Sequence, residues 1–153
     1  MGNSEWPLIV FSKPWQTKTL PELAKFLKGM GLSGVELPVR PGYQVEPDNI
    51  AKGLPEAVKI FADHGMKIGS VAGNTDEATI AACGEAGVPL IRTMMRVGPD
   101  ESYLAAEVSL WRSLDGLLPL LEKHGVAVGL QNHCNAFAGS AISIRRLAPA
   151  SGS

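Results

Sequence analysis

The stretch LLPLLEKHGVAVGLQNHCNAF, residues 117 to 137, decides the fold. A helix-like apolar repeat runs into Gly125, a β-branched run follows at once, and that run breaks into two amides, an imidazole and a thiol. A period of two along VAVGLQNHC puts Ala127, Gly129, Gln131 and His133 on one face, with Val126, Val128 and Leu130 on the other. The second face is wholly apolar and suits packing under helices. The first is small and then polar, as in a strand that lines a crowded barrel interior and emerges at its carboxyl rim.

The same hand-off recurs upstream. ELAKFLKGMG leads to LSGVEL, EAVKIFADHG leads to MKIGSVAG, and EATIAACGEAG leads to VPLIRTMM. Gly31, Gly65, Gly87 and Gly125 each fall where a helix ends on a left-handed residue, which glycine adopts without a Cβ penalty. Thr19 and Glu22 have capping-box spacing, and Pro21 sits in the first turn, so the first helix starts there. With PLIVFSK added, strands are predicted near 7–12, 34–39, 66–72, 89–95 and 126–131, and helices near 20–30, 47–64, 76–86 and 102–124. Strands alternating with helices of this length define an α/β fold with a mainly parallel sheet of about five strands. Gly53 and Pro55 predict a break in the second helix, and Pro119 a kink in the fourth.

A chain of 153 residues fits one domain, 1–153, with 148–153 expected as a disordered tail. Net charge is -1 from 14 basic and 15 acidic residues, so no polyanion track exists and nucleic acid is not an expected partner. The longest apolar runs are far shorter than the ~20 residues that cross a bilayer. Two cysteines, Cys83 and Cys134, make no disulfide framework, and the expected setting is the reducing cytoplasm. GMGLSG at 29–34 matches a dinucleotide fingerprint as a string, but it leaves a helix for a strand, the reverse of the order that places a pyrophosphate on a helix N-terminus.

Polar groups gather where strands end. Lys13 follows LIVFS, Glu36 and Arg40 lie in SGVELPVRPG, and Arg92 and Arg96 flank TMM. A carboxylate inside an apolar strand is costly unless paired or solvated. Glu36 therefore pairs with Arg40, Arg92 or Lys13, or faces a ligand cavity, and the two readings are compatible. Ligands of parallel α/β proteins bind outside the carboxyl ends of the strands, where these groups fall. His64 and His124 precede their helix-ending glycines and read as dipole-complementing residues. Ser140 reads as the cap of a helix in GSAISIRRL, an end that can also hold a phosphate or carboxylate. Cys134 reads as a small rim or core residue, and Met94 and Met95 as packing.

FSKPWQ, GVELPVRPGYQVEP and GLQNHCNAFAGSAI together resemble the xylose isomerase-like TIM barrels, described broadly as sugar phosphate isomerases and epimerases. The resemblance runs from Leu8 to Leu147, covers the first five βα units of eight and implies a partial (β/α)8 TIM barrel. It implies proton transfer between adjacent carbons of a small sugar or sugar phosphate, with Glu36 and His133 catalytic. Lys13, Arg40, Arg92, Asn132 and Ser140 are then substrate-binding. A divalent cation, Mn, Mg, Co or Zn, is implied at the rim, and Gln131 stands where many members place a metal-binding glutamate. An amide oxygen is a poorer ligand for a hard cation than a carboxylate. A full barrel takes ~250 residues, so strand edges and one flank stay open, and a homodimer or a complementing chain is expected to cover them. The alternative is a non-catalytic half-barrel that binds a small ligand or only dimerises. Endonuclease action on abasic DNA ranks last, because that chemistry needs a histidine-rich metal cluster.

Overall fold

The computed structural model describes residues 7–135 and 138–147. Five strands, β1 Ile9–Phe11, β2 Gly34–Pro38, β3 Lys67–Ala72, β4 Leu90–Thr93 and β5 Ala127–Leu130, form one sheet in chain order, every pair parallel. Between them run α1 Leu20–Gly29, α2 Ile50–Asp63, α3 Glu77–Ala86 and α4 Tyr103–His124, and α5 Ala141–Leu147 follows β5. This is an α/β fold of five parallel strands with flanking helices.

Local chemistry sets the helix ends. Thr19 and Glu22 exchange hydrogen bonds at the start of α1, completing a capping box. Gly31, Gly65, Gly87 and Gly125 all have φ between 64° and 79°, so each helix before a strand stops on a left-handed glycine. Between helices the spacing is tight at Gly84, where a Cβ would lie 2.8 Å from the Cβ and carbonyl oxygen of His124. Any larger residue would force α3 away from α4.

The predicted break in the second helix does not occur: α2 is continuous through Gly53 and Pro55. Ile50, Leu54, Ala57 and Phe61 bury a helical stripe in the main core. At ~1.5–3 kcal/mol for each large side chain, that burial outweighs the ~3 kcal/mol of an interior proline. Gly53 is itself packed, against Val45. α4 is one helix through Pro119, which a kink of the kind expected there permits.

The main core lies between sheet and helices, with Leu23, Leu27, Val35, Leu37, Val71 and Ile91 fully buried. A smaller cluster of Met95, Ala106, Ala138 and Leu147 joins α4 and α5 beyond the ends of β4 and β5. Met95 thus packs as expected from the sequence. The expected tail at 148–153 lies outside the described residues.

One irregularity matters for the site. Val35 pairs with Ile68, but Glu36 pairs with Ser70, so Gly69 is the extra residue of a β-bulge. Ile68 and Val71 both reach the helix-side core as a result, and Ser70 lies opposite Glu36. A Cβ at Gly69 would sit 2.5 Å from Cδ1 of Ile9, which occupies the space above it.

Asp76 caps α3 by accepting from Thr79 N–H at 2.9 Å. Burial raises its carboxyl, but hydrogen bonds from Thr79 and Asn74 outweigh that and hold the group below the ordinary aspartate value. Asp76→Ala is expected to cost ~1 kcal/mol at neutral pH, roughly 2–4 °C in Tm for a chain of this size. A folded-state value below the unfolded one contributes stability above the ordinary carboxylate range and loses it as pH falls through the folded value. The melting temperatures of wild type and variant should therefore converge in acid.

Candidate functional site

Along β2, Val35 and Leu37 point into the helix-side core, and Glu36 points to the opposite, barrel-interior face. There its Oε1 accepts from Arg92 Nε at 3.1 Å and Nη2 at 2.8 Å, while Oε2 accepts from Ser70 Oγ at 2.9 Å. The side chains of Arg92 and Glu36 are 11% and 17% exposed, so the pair is largely withdrawn from solvent screening. The Arg92 guanidinium also lies 4.6 Å from the centroid of the Phe11 ring, and that of Arg40 lies 6.0 Å from the same centroid. Buried Ser12 fixes the end of β1 by donating from both N–H and Oγ to the Glu36 carbonyl.

Glu36 thus takes the pairing explanation, with Arg92 as the partner among the three bases named, and it lies on the interior face of the sheet. Phe11 and Ser70 belong to the same cluster and were not singled out by residue type. The signal for Ser70 is the isolated glycine in MKIGSVAG, since a glycine inside a strand marks a bulge.

The strand register separates the expected site into two levels. Phe11, Glu36 and Ser70 share one row, and the next inward row is Pro38, Ala72, Arg92 and Gly129. Gln131 lies two residues past Gly129, about 13 Å along the strand direction from the Glu36 row at ~3.3 Å per residue. Its N–H donates to Thr93 at 2.9 Å, and the loop beyond is tied down by His133 N–H to the Ala138 carbonyl at 3.0 Å. Gln131, Asn132, His133 and Cys134 are exposed at this rim, and His133 Nδ1 lies 3.1 Å from the Cys134 carbonyl. Lys13 is exposed at the start of a 3-10 turn, Lys13–Trp15. Ser140 acts as a cap, its Oγ accepting from Ser143 N–H at 3.1 Å.

Among the described residues, no group of three or more His, Cys, Asp or Glu side chains converges as a cation site. Glu36 is held by Arg92 and Ser70, and the rim carries two amides, one imidazole and one thiol on consecutive residues. Divalent cations of this kind take four or more converging ligands, so these residues alone do not hold one. Cys83 is equally remote from metal chemistry, because burial pushes its thiol up to about 12.

An apolar cavity lies elsewhere. A groove of ≈ 640 Å³ runs along the flank of α4 and the start of β5, lined by Trp111, Leu114, Leu118, Leu121, Val126 and Val128. It lies away from the strand ends that carry the polar groups. No helix among the described residues is long and apolar enough to cross a membrane.

The parallel order, the inward polar rows and the outer helices give this chain the fold of five βα units of a (β/α)8 barrel. A putative xylose isomerase from Rhodospirillum rubrum superposes with a TM-score of 0.72 at 16% identity, covering 94% of this chain and 60% of that one. A 3-keto-D-glucoside 4-epimerase from E. coli gives 0.68 at 16% identity over 93% of this chain and 63% of the enzyme. The IOLI protein, solved with a zinc atom, gives 0.63 at 15% identity over 82% and 51%. At these identities the likeness establishes the fold, and the chain spans about 60% of the length of the first two. No family model and no curated protein matches the sequence.

Arg92→Met should destabilise the fold by about 3 kcal/mol, because it strands a mostly buried carboxylate. The double variant Arg92→Met with Glu36→Leu should recover most of that loss. Urea denaturation of the three proteins checks both, and a neutral single variant would show the pair to be solvated.

Proposed function

We propose that this chain supplies the catalytic interior of a sugar isomerase or epimerase, moving a proton between adjacent carbons of a small sugar. The observation that carries the reading is the asymmetry of the Glu36 carboxylate. Both Arg92 bonds go to Oε1, whereas among the described residues Oε2 accepts from Ser70 alone and keeps a lone pair for a substrate proton. In this reading Glu36 takes the proton from the hydroxyl-bearing carbon beside the carbonyl and returns it to the carbonyl carbon, while the hydroxyl proton passes to the carbonyl oxygen. Arg92 is a positioning residue, holding the carboxylate by a two-point contact that a lysine could not reproduce. Gln131, Asn132 and Arg40 bind hydroxyls from the rim, and His133, at the same outer level, binds the end of the sugar away from the reacting carbonyl. Lys13 and Ser140 meet an anionic group when the sugar is phosphorylated.

Names of the similar structures, a glucoside epimerase and a putative xylose isomerase, support this class of reaction. A divalent cation, Mn, Mg, Co or Zn, would need ligands beyond the residues described, and no step is assigned to it. The open flank is proposed to be covered by a second copy of the chain or by a complementing chain. What supports this is the apolar α4 groove together with exposed Leu104, Val108 and Leu118.

The test is deuterium uptake from heavy water into a panel of ketoses and aldoses, with and without Mn. Exchange at the carbon next to the carbonyl is expected, and Glu36→Gln should lower it ~100-fold or more while circular dichroism confirms the fold. Absence of exchange from every sugar would defeat the reading. Light scattering should give a particle mass of at least twice 16.2 kDa. Leu118→Glu should shift it toward the single chain, and a wild-type monomer would remove the assembly from the proposal.

A further inference from the structure

Where β2 and β3 end, a second cavity of ≈ 580 Å³ opens beside the barrel mouth. That is within the ~300–1,000 Å³ of small-molecule sites. Its base is close-packed backbone: Val39 N–H donates to the Ala72 carbonyl at 3.0 Å, and a Cβ at Gly73 would lie 3.1 Å from the Val39 carbonyl oxygen. One wall is the loop after β2, which is tied at several points. Val39 bridges Val45, Arg40 N–H donates to the Val45 carbonyl at 3.2 Å, and Gly42 N–H donates to Glu46 Oε1 at 3.1 Å. Gln44 Nε2 reaches the carbonyls of Trp15, Gln16 and Lys18, fastening the same loop to the segment after β1. The cavity is therefore built into the fold, and a ligand would not have to order it.

Arg40, Glu46, Asp48 and Asn74 line it beside the rings of Pro41 and Pro47. A guanidinium, two carboxylates and an amide supply donors and acceptors at several angles, which suits vicinal hydroxyls, while the proline rings offer apolar surface to a ring face. The lining carries one basic and two acidic side chains, so a phosphate or a sugar acid meets net repulsion. Arg40 belongs both to this cavity and to the Phe11 ring inside the barrel, so the two spaces adjoin.

We propose that this cavity takes a second, neutral sugar ring, so that the preferred substrate is a reducing disaccharide whose reducing-end residue, in its open carbonyl form, lies at Glu36. The inference rests on the proposed function only for the position of the reacting residue. Its test is an NMR titration of the full chain with cellobiose, maltose, sucrose, glucose and glucose 6-phosphate, following the amides of Asp48, Gly73 and Asn74. At least one reducing disaccharide should shift these amides and bind about tenfold more tightly than glucose. Asp48→Ala, at an exposed position, should reduce that ratio several-fold with the melting temperature unchanged. Equal affinity for one and two rings, no shifts at these amides with any reducing disaccharide, or preferential binding of glucose 6-phosphate would overturn it. Deuterium exchange decides the reaction, whereas these shifts decide the second ring, so either can fail alone.

Discussion

A carboxylate in the middle of an apolar parallel strand must be matched where it lies, and much of the interior face is arranged around that requirement. Glu36 has Val35 and Leu37 locked into the core on either side, so its backbone cannot rotate it toward water. The partners come to it instead. Arg92 reaches back from the adjoining row, Phe11 supports the guanidinium, and Ser70 arrives only because Gly69 adds a residue to β3. Unmatched, the charge would cost several kcal/mol. Matched, it gives the half-open barrel interior a fixed polar floor.

Much of the architecture could be read from local signals, because short-range chemistry produces it. Left-handed glycines end the helices before each following strand, the Thr19–Glu22 box starts α1, and alternation in β5 separates its two faces. Tertiary effects were less visible. Pro55 argues locally for a break in α2, but a stripe of buried side chains over four turns overrides it. Sequence narrowed the partner of Glu36 to three bases, and only the register across three strands selects Arg92. Ser70 escaped notice because a bulge changes which face a residue occupies.

The candidate rim shows the same limit. Alternation sets Gln131 and His133 on one face near the strand's exit, but it carries no information on height; β5 ends at Leu130, and counting paired residues puts both well beyond the Glu36 row. Two levels of polar groups on one interior face fit a ligand with some length better than a compact one. The apolar groove on α4 has the opposite character and belongs to the flank, where a complete barrel continues.

The order of strands in space is their order along the chain, and helix contacts likewise follow succession: α1 with α2, α2 with α3, α3 with α4. No segment has to thread behind another or wait for a distant one. During vectorial synthesis each βα unit can dock on its predecessor as it leaves the ribosome, with loop closure spanning only one unit. Both ends of the row stay partly open, with Leu8, Ile9 and Phe26 exposed at one and Leu104, Val108 and Leu118 at the other. A protein grown this way can be extended or cut back at a unit boundary without redrawing what precedes it.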